Sequence, residues 1–333
     1  MKTKRALSFF LSLLLVFSLA SCDLSALLPS PSGGTGEGTS FTPPTYTDLV
    51  PTVFENSYRD QLSPNEIAVY DAVVALEVGE FEIRPTLPEV PKVCRGRMPT
   101  EAEKEALSDR LTYWITNALY AVWLDHPEIF WLEHGKFSLA YSLEGDDENV
   151  LTLTELTVTI EAAEGITDAV ADAARLKAAI LDFAPTGKTE AEQVAYVSNY
   201  LCARIEYELN APRRGNLLGA LVDKRCVCEG YALAFAYLAK RAGLDVVSIP
   251  GYAKANGETE GHLWSAVRID GVLYGVDVTW NDTTESNVYT LVGTETVCHE
   301  DTFGATHTPD SLTKDGVHKA FVFPTLSQTA YTK

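Results

Sequence analysis

Cys228, His262 and Asp277 are well separated in the chain, yet their types and local settings suit nucleophilic thiol chemistry. They lie in Lys-Arg-Cys-Val-Cys-Glu-Gly-Tyr-Ala (224 to 232), Gly-His-Leu-Trp-Ser-Ala-Val (261 to 267) and Tyr-Gly-Val-Asp-Val-Thr-Trp-Asn-Asp (274 to 282). A thiol attacks a carbonyl carbon well only when a base can take its proton, and the base needs a third group to orient it. A cysteine, an imidazole and a carboxylate in this order can supply all three roles, if the chain brings them together.

The elements that would do so can be read locally. Asp270-Gly271 between two β-rich runs signals a two-residue hairpin, in which Ile269 pairs with Val272. Continuing that register puts His262 opposite Thr279 and Trp264 opposite Asp277. Because strand side chains alternate, these four would share one face, with His262 and Asp277 as diagonal neighbours. Leu263, Val267, Ile269, Val272, Tyr274, Val276, Val278 and Trp280 would form the core face. A helix is expected from Glu229 to Ala242, with Ala232, Phe235, Leu238, Ala239 and Ala242 at helical spacing and Gly243 just beyond its end. Cys228 then stands at or beside the helix N-terminus, where free N–H groups favour a thiolate. Gly230 permits close backbone approach in the first turn.

These three segments resemble the transglutaminase-like superfamily, in its bacterial exported branch. Its pattern of a Cys-x-Gly-Tyr-Ala helix start, a His-x-Trp-Asn strand and a Tyr-x-x-Asp-x-Thr-Trp-x-Asp strand corresponds to Cys228/Gly230/Tyr231/Ala232, His262/Trp264 and Tyr274/Asp277/Thr279/Trp280/Asp282. Ser265 departs from the pattern, since Asn is usual there. The resemblance covers about residues 185 to 295. It implies an α+β, papain-like core in which a nucleophile helix packs on an antiparallel sheet. It also implies a cysteine-dependent acyl transferase or hydrolase acting on protein or peptide amides through a thioester, with no cofactor and no metal. Its rival is a non-catalytic binding lipoprotein that keeps the fold.

Other groups have plainer readings. Cys94, Cys202 and Cys298 read as small apolar residues. Cys226 and Cys228 with His262 could hold zinc, but Cys-x-Cys is not a usual zinc spacing and no second pair completes it. Trp264, Trp280 and Tyr231 read as packing residues. His126, His134, His299, His307 and His318 have no partner that spacing can assign.

The N-terminus sets the expected location. Met-Lys-Thr-Lys-Arg precedes an apolar run from Ala6 to Ala20, and Leu19-Ala20-Ser21-Cys22 resembles a bacterial lipobox. Residues 1–21 read as a signal peptide, and Cys22 as the lipidated first residue of a membrane-anchored, extracytoplasmic protein. Residues 22–50, rich in Ser, Pro, Gly and Thr, form a flexible tether. The full chain has 26 basic and 46 acidic side chains, a net charge of −20. Loss of Lys2, Lys4 and Arg5 with the signal makes it more acidic still, which excludes nucleic acid as a partner. A protein or peptide substrate, or a cell-envelope component, remains the expected partner.

About 280 residues follow the tether, enough for two packed units. The first, 51–165, is expected to be α+β. It has capped helix starts at Ser63-Pro64-Asn65-Glu66 and Thr100 to Glu103, a break at Asp125 to Trp131, and a hairpin of runs 136–143 and 150–160 around Gly145-Asp146-Asp147. The second, 166–333, opens with a helix near 166–183 and another capped by Thr189 to Glu192, and carries the three chemical segments.

Overall fold

The computed structural model describes residues 9–13, 58–145, 150–185, 189–255, 257–310 and 321–332. The turn expected at residues 146–147 and His318 lie outside this set, as do Cys22 and the tether.

The first sheet comprises β1 (Phe9–Leu13), β2 (Glu82–Ile83), β3 (Lys92–Arg95), β4 (Leu132–Gly145) and β5 (Val150–Ala162). Its order is β1-β4-β5-β2, with β3 also on β5. β1 falls within residues 1–21, so removal of that segment would leave the β4 edge open. Helices α1 (Pro64–Val74) and α2 (Glu101–Asp125) accompany this sheet. Their starts follow the capping chemistry of the sequence. Glu66 accepts the Ser63 N–H at 2.6 Å, and Glu103 accepts the Thr100 N–H at 2.8 Å. α2 stops at Asp125, and His126 closes it by donating its N–H to the Val122 carbonyl.

The second half follows with α3 (Ala169–Ala179), α4 (Glu190–Cys202), β6 (Glu206–Tyr207), β7 (Arg225–Cys226) and α5 (Cys228–Arg241). β8 (Asp245–Ala255), β9 (Glu258–Ile269), β10 (Val272–Val276) and α6 (Val278–Thr283) come next. The remainder comprises β11 (Thr290–Val292), β12 (Val297–Cys298), β13 (Asp301–Thr302), α7 (Phe303–Thr306) and β14 (His307–Pro309). The second sheet is antiparallel, in the order β11-β10-β9-β8-β14. α5 packs on β8 and β9 and is flanked by α4 and α6. This is the expected α+β, papain-like arrangement of a helix laid on an antiparallel sheet.

α5 is apolar almost all round because it is enclosed. Tyr231, Leu233, Phe235, Tyr237 and Leu238 are each at most 2% exposed. Burying a side chain of this size is worth about 1.5–3 kcal/mol, so this helix is among the most firmly held elements of the fold. The two sheets share supporting contacts. Lys240 near the end of α5 donates to the Asp125 carbonyl at 2.6 Å, and the Tyr58 hydroxyl donates to the Ser248 carbonyl.

The Asp270-Gly271 hairpin has the expected register, from Ile269 opposite Val272 to Ser265 opposite Val276. Both turn residues have positive φ, 49° and 83°, as a two-residue turn of this twist requires. The pairing does not continue beyond Val276. The expected positions of Asp277 and Thr279 on the strand, opposite Trp264 and His262, are therefore not formed. Asp277 caps α6 instead, and His262 lies opposite Gly251 of β8.

Candidate active site

Cys228 is the first residue of α5, after Val227 in extended conformation (φ −107°, ψ −173°). The chain reaches it through β7, which pairs in parallel with β6 so that Tyr207 lies opposite Cys226. The loop before α5 packs closely enough to require glycine at position 230. A Cβ there would come within 2.7 Å of the Arg214 carbonyl oxygen and 2.5 Å of the Cys226 Cβ. Cys228 is half-buried and lies close enough to His262 to help raise the imidazole pKa.

His262 projects from β9, and its Nε2 lies 2.7 Å from Asp277 Oδ2. That contact leaves Nδ1 for the thiol. Burial pulls the imidazole toward its neutral form, but the adjacent Asp277 charge, its hydrogen bond and the Cys228 contact outweigh this and push the pKa up to about 10. The His262 ring thus carries a proton across neutral pH.

Asp277 is 1% exposed and accepts three hydrogen bonds. Its Oδ1 takes the Trp280 N–H at 3.0 Å, the N-cap bond of α6, while Oδ2 takes His262. Desolvation favours its protonated form. The His262 charge and hydrogen bond, with that of His307, overcome this and hold the carboxyl well below the usual carboxylate range. The sequence placed His262 and Asp277 together by cross-strand geometry; in the fold a helix cap brings them together. The local β preference of Val278 and Thr279 masked a cap signal that Asp277 itself carries.

His307 is the residue that spacing did not assign. β14 pairs with β8, placing His307 opposite Ala253, and its Nε2 is 3.0 Å from the same Asp277 Oδ2. Its Nδ1 is 2.9 Å from Thr306 Oγ1, and its ring stacks on Phe303 with centroids 4.0 Å apart. Burial lowers its pKa, against the pull of Asp277. Among the described residues, a donor cluster that could hold a metal is His262, Asp277 and His307, with donor atoms within 4.8 Å of one another. Both imidazole N–H groups are already directed at Asp277 Oδ2, so hydrogen bonds account for this arrangement. The Cys226–Cys228–His262 zinc alternative finds no counterpart in that cluster. Cys226 is fully buried, and desolvation pushes its thiol pKa far up.

The supporting residues have distinct contacts. The Tyr231 hydroxyl donates to Asp282 Oδ2 at 2.5 Å, tying α5 to α6. Trp264 is buried, while Trp280 is half-buried with its ring 5.9 Å from His262. Ser265 pairs with Ser248 and Val276, and alternation turns it to the face opposite His262. Burial pushes the Cys202 and Cys298 thiols up to about 11. His126 bonds Glu128 at 2.8 Å, and the His134 ring stacks on Trp123. A cavity of about 370 Å³ lies between the two halves and reaches Glu229, but neither Cys228 nor His262 lines it.

Residues 178–280 match the family model of the transglutaminase-like superfamily. The chain carries a transglutaminase-like domain. It is similar to kyphoscoliosis peptidase of Mus musculus, 28% identical over 151 residues that cover 40% of this chain and 23% of the relative. It is similar too to kyphoscoliosis peptidase of Homo sapiens, 28% identical over 114 residues that cover 30% and 17%. The chain thus spans less than a quarter of the length of these relatives. Among solved structures it is similar to the periplasmic domain of TgpA from Pseudomonas aeruginosa, with 16% identity, a TM-score of 0.28, and coverage of 67% of this chain and 98% of that one.

Proposed function

We propose that this protein is a cysteine-dependent acyl-transfer enzyme acting on protein or peptide amides, held by a lipid on Cys22 at the extracytoplasmic face of the membrane. The observation that carries the chemistry is the 2.7 Å contact of His262 with Asp277, with Cys228 beside the imidazole at the start of α5. His262, kept protonated by Asp277, pairs with the Cys228 thiolate. The sulfur attacks the amide carbon and forms a C–S bond, and the carbonyl electron pair moves onto oxygen. The Cys228 N–H at the start of α5 is placed to donate to that oxyanion. Collapse of the adduct breaks the C–N bond, the departing amine takes the His262 proton, and a thioester remains. Water or an amine then attacks the thioester while His262 accepts its proton, and Cys228 is released.

The test is a set of amide and peptide donors offered to the full chain. A mass increase on Cys228 that hydroxylamine removes, and that Cys228→Ala lacks, supports the reading. A donor panel that gives no adduct and no turnover favours a binding module built on the same fold.

A further inference from the structure

His307 shares one carboxylate oxygen with His262, and it does so from a position of full burial. Its side chain is 0% exposed, and Nε2 lies 3.0 Å from Asp277 Oδ2. An ionised carboxylate only accepts hydrogen bonds, so both imidazoles must present Nε2–H to that oxygen. Full burial makes a further charge costly, and desolvation lowers the His307 pKa against the pull of Asp277. His262 lies beside the thiol, whereas His307 Nδ1 faces the Thr306 hydroxyl at 2.9 Å and the Phe303 backbone. Burial thus favours the neutral form at His307, and what the ring presents to Asp277 Oδ2 is its Nε2–H.

We propose that His307 is a positioning residue of the thiol site: its Nε2–H keeps the Asp277 carboxylate ionised and aimed at His262. This rests on the Cys228–His262–Asp277 reading. Asp277 sits where water cannot solvate its charge, and each of its three donors has a separate task. The Trp280 N–H fixes Oδ1, His262 is the group being held, and His307 supplies stabilisation that adds no second charge. β14 supplies this donor from beyond the matched family segment, which ends at residue 280.

The phenol and the thiols nearest the cluster, Cys228 apart, stay neutral around pH 7. Burial pushes Tyr289 up to about 12 and Cys298 and Cys202 up to about 11. His299 lies behind Tyr289, with ring centroids 5.7 Å apart. A pH profile of Cys228 reactivity from about pH 5 to 9 therefore reads the thiol, His262, Asp277 and His307.

The probe is iodoacetamide, with Cys228 alkylation in the full chain followed by mass spectrometry. Wild-type Cys228 should alkylate at acidic pH, where an ordinary thiol is protonated and inert. His307→Phe keeps the ring that stacks on Phe303 but loses the donor, and should slow labelling at about pH 5.5 by about tenfold or more with little change at about pH 9. His307→Gln loses the ring but can place an N–H toward Asp277, and should restore the acidic reactivity. Wild-type behaviour of His307→Phe, or equal loss in both variants, would overturn the proposal while leaving the triad standing, provided His262→Ala still slows the label. Wild-type Cys228 no faster than in denatured protein would remove both readings. Should the variants not fold, ¹⁵N-histidine NMR of the wild type decides. His307 is expected to carry Nε2–H throughout, and an Nδ1–H tautomer refutes its role.

Discussion

Asp277 does two jobs with its two oxygens, capping α6 with Oδ1 and holding imidazoles with Oδ2. Substituting Asn separates them. Asn accepts the Trp280 N–H as well as Asp does, so the cap survives. The other amide position, however, would direct N–H groups at two imidazole N–H donors. Asp277→Asn should therefore leave the circular dichroism spectrum unchanged while turnover of any donor found falls by about 10⁴, the size of loss seen in the related serine-enzyme arrangement. A turnover within about tenfold of wild type would detach Asp277 from the chemistry. The pH dependence of stability follows from the same pair. His262 has a raised pKa in the fold, so its contribution is fully present below its unfolded value of about 6.5 and lost as pH rises through about 10. Asp277 has a lowered pKa, so its contribution is present above about 3.8 and lost as pH falls below that. Urea unfolding of wild type against His262→Gln should show its largest gap between about pH 4 and 6.5, closing above about pH 10. A gap that widens with alkali would contradict the sign.

The elements that hold these side chains are a helix start, a hairpin, and a short helix following it. The start of α5 is the tightest point. Because a Cβ at residue 230 meets the Arg214 carbonyl and the Cys226 side chain, Gly230→Ala should cost about 1–3 kcal/mol and also displace Cys228 from His262. Denaturant titration and the iodoacetamide rate would both register it; a stable, fully reactive variant would mean the loop relaxes freely. Ser265, by contrast, faces away from the imidazole it follows in sequence. Its departure from the family pattern changes the other side of the sheet, where its hydroxyl and that of Ser248 are buried without a hydrogen-bond partner among the described residues.

At the scale of the whole molecule, the acidic surface and the expected leader point the same way. A net charge of −20 suits a protein tethered near an anionic membrane without lying flat on it. No helix among the described residues is long and apolar enough to cross a membrane. The proposed attachment is the lipid at Cys22. Cys22→Ala should alter processing and move the protein out of the membrane fraction. Wild-type protein found unmodified in the soluble fraction would dispose of the anchor. The cavity between the two halves is lined in part by Glu229, whose carboxyl pKa is pushed up by burial. Its lining joins the first sheet to α5 and includes neither Cys228 nor His262.

Local sequence determined the capped starts of α1, α2 and α4, the position of Cys228 at the head of α5, and the Asp270-Gly271 register, because capping, helical spacing and two-residue turns are interactions within a few residues. It also made Cys228, His262 and Asp277 readable as a set, because nucleophile, base and orienting acid each need a particular residue type. The sequence could not tell that Asp277 leaves the strand: Val-Asp-Val-Thr-Trp satisfies a strand and a capped helix alike, and the β11 pairing and buried Asn281 network decide between them. Nor could it find His307, which lies 30 residues beyond Asp277 and reaches it only because β14 joins the far edge of the sheet. Contacts of that kind are set by how the sheet closes around α5, and no local pattern encodes them.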